Sequence, residues 1–299
     1  MVVEDFINYL RYERNYSDCT IVAYKKDLLQ FVAYLKELDA TIKFPEDVDA
    51  DLIRRWEVAL MDNMSSVTVN RKLSSLKSFF KYLMKQKKKS ADPTRLVKGP
   101  KTKKTLPYFV KDQDMERLLD EGVGEDFKSV RNHLVVEMLY DTGMRRSELV
   151  NLKDEDIDYA RSQIKVTGKR NKQRLIPFAV RLKELMQRYQ QVRNHEVGGY
   201  GWFFTKENGE QITPMIVYKI VKDKLSEIPT LAKRSPHVLR HSFATSMLNN
   251  GAELNAVKDL LGHGSLASTS VYTHTSFEEL KKVYHAHPRA KKEGGNYGN

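Results

Sequence analysis

The stretch Asp141-Thr142-Gly143-Met144-Arg145-Arg146-Ser147-Glu148-Leu149 joins an apolar helical run to a second, shorter one. Gly143 lets the chain turn sharply at the end of the first run, since a residue without Cβ enters left-handed backbone at little cost. Arg145 opens the second run, and Glu148, three residues on, is placed to orient its guanidinium. Arg146 adjoins Arg145, and spacing alone does not choose between them. Taken by itself the stretch is a junction between two helices with surface arginines. Its weight comes from three further segments nearer the C-terminus.

The first of these is a pair of short apolar runs. Ile164-Lys165-Val166 and Arg174-Leu175-Ile176-Pro177 flank the loop Thr167-Gly168-Lys169-Arg170-Asn171-Lys172. β-branched residues on either side of a glycine-containing loop predict a β-hairpin, here with a basic tip. Ser235-Pro236 opens a further helix, with serine suited to the cap and proline to the first turn. His237 lies in that first turn and Arg240 three residues later, so both leave one face beside free backbone N–H groups, an arrangement that suits a phosphate. Arginine adds a planar fork that fits two phosphate oxygens. His263 comes directly after Gly262, the stop signal of the helix 253–261, and Tyr272 comes nine residues later. A tyrosine there ordinarily packs. It is also a nucleophile once neighbouring groups remove its proton, which its ordinary pKa near 10 otherwise retains.

Other helical patterns fall at 115–121, 130–140, 147–152, 180–193, 214–225 and 277–284. The last is amphipathic, with Phe277, Leu280, Val283 and Tyr284 on one side. The second half of the chain is therefore mixed, mostly helical with a small β-sheet. Residues 289–299, rich in glycine, lysine and asparagine, are expected to be disordered.

Upstream, residues 1–90 read as helix throughout. Ile21, Tyr24, Leu28, Phe31, Val32 and Leu35 form one stripe, and Val69, Leu73, Leu76, Phe80 and Leu83 another. With shorter helices at 3–14 and 51–61, this predicts a four-helix bundle. The side of the last helix that carries Arg71 and Lys77 is basic, which fits either solvent or a DNA groove. Between Lys85 and Lys104, nine cations face one acid, Asp92, among Pro93, Gly99 and Pro100. Like charges and helix breakers predict a linker at 91–106, drawn out along phosphates through Lys101, Lys103 and Lys104. A catalytic-sized domain then occupies 107–288.

The whole chain of 299 residues has 51 Lys+Arg against 39 Asp+Glu, a formal net charge of +12. That balance favours a polyanion such as nucleic acid. One cysteine, Cys19, excludes an intramolecular disulfide. Glu4 and Asp5 stand where a signal peptide carries lysines, and no apolar run approaches ~18 residues, so a cytoplasmic location is the expectation. There is no Gly-Lys-Ser/Thr phosphate loop, no HExxH, no GxSxG elbow and no carboxylate triplet at metal-ligand spacing.

Taken in order, T-G-hydrophobic-R-x-S-E-L, the Gly-Lys hairpin tip, H-x-x-R-H-x-F-A-T, L-G-H and V-Y-T-H resemble the tyrosine recombinases, the phage-integrase and Xer group of site-specific DNA recombinases. The resemblance reaches the N-terminal bundle, similar to the family's SAM-like core-binding domain, and the final His287-Pro-Arg-Ala, similar to the Xer tail. It implies a mainly α fold with a small sheet in the catalytic domain. It implies Arg145, Lys169, His237, Arg240 and His263 as catalytic residues around Tyr272 as nucleophile, with Arg170 and Lys172 of the hairpin tip on DNA. It implies cleavage through a 3′-phosphotyrosyl bond and a Holliday junction, without metal, ATP or other cofactor.

The partners so implied are duplex DNA with a specific site and a homo- or hetero-tetramer, joined through helix 277–284 unless that helix packs on its own domain. A second recombinase and a DNA translocase belong to the same picture. Compact size favours dimer resolution over integration of a mobile element. A non-catalytic DNA-binding protein shares the basic linker but has no use for the six residues, a type IB topoisomerase lacks site specificity, and an RNA binder would show recognition-motif aromatics.

Overall fold

The computed structural model describes residues 2–102, 108–168, 172–198, 201–262 and 274–290. The chain divides into two compact units, Met1–Thr105 and Leu106–Asn299.

The first unit is the expected helical bundle. Helix α1 (Val2–Asn8) runs on as a π-helical turn at Tyr9–Glu13, and α2 (Asp18–Leu38), α3 (Ala50–Met61) and α4 (Ser66–Lys85) come after it. Asp49 caps α3 by accepting from the Leu52 N–H at 2.8 Å. The apolar stripes seen in the sequence close on one another: Phe6, Leu28, Phe31, Trp56, Leu73, Leu76 and Phe80 are all buried. The segment expected as an extended linker departs from that expectation in its first half. Thr94 and Val97 are buried, and Val97 joins the bundle core. The Asn70 amide donates to Pro100 O at 2.8 Å. The two burying residues sit among cations whose charge dominates the sequence pattern, and their burial holds 92–100 against α4 while Lys98 and Lys101 stay exposed.

The second unit contains α5 (Asp112–Asp120), α6 (Phe127–Thr142), α7 (Arg146–Val150), α8 (Val180–Glu196), α9 (Pro214–Lys224), α10 (Pro236–Asn249), α11 (Leu254–Leu261) and α12 (His274–Tyr284). Its sheet has the antiparallel order β1 (Ile157–Asp158), β2 (Gln163–Thr167), β3 (Gln173–Pro177). β2 and β3 are the expected hairpin, with Val166 opposite Arg174 and Ile164 opposite Ile176. The two-residue β1 has no alternation long enough to see in sequence. Helix α6 is the spine: it is buried nearly all round and packs on α8, α9 and α10.

Helix α12 buries Phe277, Leu280 and Tyr284, and packs on α11 and β3 of its own unit. Of the segment 289–299, expected to be disordered, Arg289 and Ala290 are instead ordered, and 291–299 lie outside the described residues. Pro288–Ala290 form a 3-10 turn with Arg289 and Ala290 buried, because Arg289 finds three carboxylates, Asp120, Glu137 and Asp141. No helix among the described residues is long and apolar enough to cross a membrane.

Candidate active site

Gly143 ends α6 in left-handed backbone, φ +58°, and a Cβ built there would lie 2.5 Å from Phe243 of α10 and 2.9 Å from Leu261 of α11. The close approach brings the ends of α6 and α11 together against the middle of α10. Gly143→Ala is expected to destabilise the second unit by about 2 kcal/mol or more, from left-handed strain plus overlap. Urea unfolding measures this, and a loss below about 0.5 kcal/mol would mean that the three helices are not so tightly packed there.

Two residues past the glycine, the Glu148 carboxylate accepts from the Arg145 backbone N–H at 2.7 Å, the reciprocal half of a capping box. The same carboxylate takes the Arg145 side chain, Nη1 to Oε1 at 2.8 Å. Arg145 is thereby aimed, and its Nη2 reaches Gly262 O at 3.3 Å. Arg146 points elsewhere, toward Pro214 O at 3.4 Å. The geometry separates the two neighbours that spacing left together.

Arg240, from α10, ends at the same place. Its Nη1 donates to Gly143 O at 2.5 Å and its Nη2 to Leu261 O at 2.6 Å. Burial, then the charges of Arg145 and Arg174, lower its pKa to about 10, so it stays a cation at neutral pH. His237 lies one turn earlier on α10. Partial burial, with Arg146, Arg240 and Lys233 nearby, lowers its pKa below the usual imidazole range. The ring is therefore neutral at pH 7.5 and able to accept a proton. Ser235 occupies the N-cap position as expected, but its side chain makes no cap hydrogen bond.

The sequence pattern alone did not mark Arg174 as part of this site. It is buried on β3, and its Nη1 and Nη2 donate to the two oxygens of Glu148 at 2.7 and 2.9 Å. Its Nε donates to Leu260 O at 2.7 Å. Three successive carbonyls at the C-terminal end of α11, those of 260, 261 and 262, thus each accept from a different arginine. Cations are favoured at that end of a helix. Burial raises the Glu148 pKa, but the hydrogen bonds and charges of Arg174 and Arg145 outweigh it, and the carboxylate stays ionised. The hairpin tip lies close by: a Cβ on Gly168 would stand 3.3 Å from Glu148 Oε1 and 3.8 Å from Arg145 Nη1.

Arg145, His237 and Arg240 are thus brought together. Lys169, Arg170, His263, Tyr272, Lys103 and Lys104 lie outside the described residues. Among the other DNA-binding candidates, Lys101 and Lys172 are exposed and Lys77 is half-buried. Arg71 is not a lone surface cation: both of its Nη groups donate to buried Asp27, which also accepts from Lys72 at 3.0 Å and Ser75 at 2.8 Å.

Comparison with known proteins identifies the family. The phage integrase family matches residues 109–279, and the phage integrase N-terminal SAM-like domain matches 3–87. The tyrosine recombinase XerC of Staphylococcus aureus (strain MSSA476) is 37% identical over 98% of this chain and 98% of its own. That of Chlorobaculum parvum is 35% identical over 96% of this chain and 94% of its own. Among solved structures, the XerH site-specific recombinase bound to palindromic difH substrate in a post-cleavage complex superposes with a TM-score of 0.71 at 23% identity, covering 95% of this chain and 84% of that one. The Tn1549 transposon integrase with circular intermediate DNA gives 0.67 at 21%, covering 93% and 98%. With both halves matched by family and by full-length relatives, the chain belongs to the phage integrase family and is a site-specific tyrosine recombinase.

Proposed function

We propose that this recombinase works in the Xer manner, resolving chromosome or plasmid dimers, with Arg145 and Arg240 holding the scissile phosphate. The observation that carries the assignment of the arginines is their meeting at the end of α11, on the adjoining carbonyls of Leu261 and Gly262, beside a neutral His237. The Tyr272 oxygen bonds to phosphorus as the bond from phosphorus to the 5′-oxygen breaks. The tyrosine proton passes to His237, and Lys169 supplies a proton to the departing 5′-oxygen. His263 donates to a non-bridging oxygen. Charge that accumulates on the phosphate oxygens in the transition state meets fixed cations. The ester keeps the bond energy, so the 5′-hydroxyl of a partner strand reseals it without ATP. Two rounds through a Holliday junction exchange both strand pairs. The Xer role is supported by the match to XerC relatives over nearly their whole length.

Strand exchange at two duplexes needs four active sites. A cyclic homo- or hetero-tetramer supplies them. In it, helix 277–284 leaves its own unit for a neighbour, which exposes Leu280 and Tyr284 during the exchange. A second recombinase and a DNA translocase are the partners that fit this role, and the cytoplasm is the compartment where such DNA is found.

A duplex nicked just past the cleavage site tests the reading, because the short 5′-hydroxyl fragment diffuses away and strands the intermediate. The expected product is a protein–DNA adduct that survives denaturation, with the DNA on the peptide containing Tyr272. No adduct on a nicked duplex bearing the chain's own chromosomal target would overturn it. Binding itself is electrostatic. Replacing Lys101, Lys103 and Lys104 together with alanine should reduce the slope of log affinity against log salt by about 2 to 3. Titrations between low and moderate salt measure the slope, and an unchanged value removes the three from the interface.

A further inference from the structure

We propose that Arg174 is a positioning residue for cleavage: it neutralises and clamps Glu148 so that the Arg145 guanidinium is both aimed at the phosphate and left with its full positive field. The proposal rests on the reading of Arg145 as a phosphate ligand.

A guanidinium buried on a strand is costly unless it is paired and hydrogen-bonded. Arg174 meets both conditions. Both of its Nη groups fork onto the two oxygens of Glu148, and its Nε holds Leu260 O. Glu148 in turn accepts the Arg145 backbone N–H and Nη1. Four donors thus converge on one carboxylate. Two guanidiniums and one carboxylate leave a charge of +1. Without Arg174 the ionised Glu148 would cancel Arg145, and a site built to attract a phosphate would be neutral at that point. Glu148 aims Arg145 through its acceptor oxygens, and its charge, once present, has to be offset by a second cation.

The position also suits coordination of the three segments that bear the site. Arg174 lies in the hairpin whose connection, 169–171, includes Lys169. It holds the helix that begins just after Arg145, through Glu148. It holds the end of α11, which leads directly to His263. The approach is close: a Cβ on Gly262 would sit 3.2 Å from Arg174 Cδ and 3.3 Å from its Nη1.

The test is single-turnover cleavage of the nicked duplex at saturating protein. Arg174→Gln is expected to slow adduct formation by about 100-fold, the scale of a catalytic group displaced by about 1 Å, while affinity for the uncleaved duplex stays within about threefold. Arg174→Lys, which keeps the charge and loses the fork, should fall between it and wild type. The decisive variant is the double one. Because Glu148→Gln removes the uncompensated negative charge, Glu148→Gln with Arg174→Gln should cleave faster than Arg174→Gln alone. A purely structural role predicts that the double variant is slower still. On a duplex with sulfur in place of the 5′-bridging oxygen, whose thiolate leaves without a proton, the defect of Arg174→Gln should persist. Restoration there would assign the effect to Lys169 instead and overturn the route through Glu148. Should Arg174→Gln fail to fold, Arg174→Lys and the double variant carry the comparison. Wild-type protein that forms no adduct refutes the functional reading; wild-type protein that does, alongside an equally fast Arg174→Gln, refutes only this inference.

Discussion

Tyr272→Phe is expected to remove covalent attachment to DNA down to the limit of detection, while affinity for the intact site changes by less than about threefold. The substitution deletes one oxygen, the atom that bonds to phosphorus in the proposed mechanism. An in-line attack requires a nucleophile opposite the departing 5′-oxygen, and phenylalanine carries none. Binding survives because it is spread over many cations along the duplex, and losing one phenol hydroxyl removes none of them. A phenol at its ordinary pKa near 10 is about 99.9% protonated at pH 7, so attack by Tyr272 calls for a proton acceptor. His237 is neutral at that pH because burial and the charges of Arg146, Arg240 and Lys233 hold its pKa down. Gel retardation and denaturing gels on the same nicked duplex separate the two effects. An undiminished adduct from the variant would transfer the role of nucleophile to another tyrosine.

How much of the fold and site is visible in the chain differs by element, for physical reasons. The bundle is legible because Val69, Leu73, Leu76, Phe80 and Leu83 recur at helical spacing and all five are buried. The hairpin is legible from the β-branched and aliphatic residues around Gly168. The meeting of Arg145 and Arg240 is not legible from spacing, since nothing in either segment names Leu261 and Gly262 as the place where both end. The family resemblance supplies it. Arg174 leaves a subtler signal: it stands two residues before Ile176, and alternation puts both on the inward face of the strand. An arginine at an inward position of a short strand demands a buried acid. Residues 92–97 show the converse, where cations hide two residues, Thr94 and Val97, that pack.

Arg289→Ala is expected to destabilise the second unit by about 3–5 kcal/mol at pH 8, because removing the most deeply buried cation of a buried cluster leaves its carboxylates under-compensated. The Arg289 Nη2 donates to Glu137 at 2.8 Å and its Nη1 to Asp120 at 3.2 Å, with Nε 3.5 Å from Asp141. Arg181 faces the same acids, His133 holds the other oxygen of Glu137 at 3.0 Å, and His287 is buried beside Tyr140 and Phe243. Burial and the neighbouring Glu137 raise the Asp141 pKa well above the usual value, against the pull of Arg289 and Arg181. Burial also raises Glu137, but His133 and Arg289 bring its pKa below normal. Without Arg289 both carboxyls shift upward. An acid whose folded pKa is raised favours the folded state below its unfolded pKa, and loses that advantage as pH rises through the folded one. The gap between variant and wild type should therefore be widest at pH 8 and narrow toward pH 5.5, where the orphaned acids take up protons. The neutral His287, with its pKa lowered to about 3 by burial and by Arg289, loses stability as pH falls in both proteins and largely cancels from the difference. Urea unfolding at both pH values measures the gap. A gap that is constant with pH would mean that the two acids do not depend on Arg289, and that the final turn is held by the apolar contacts of Tyr284 and Ala290 instead. The same acids lie on α6, whose last turn delivers Gly143 and Arg145, so the turn at 288–290 supports the helix that presents the first arginine.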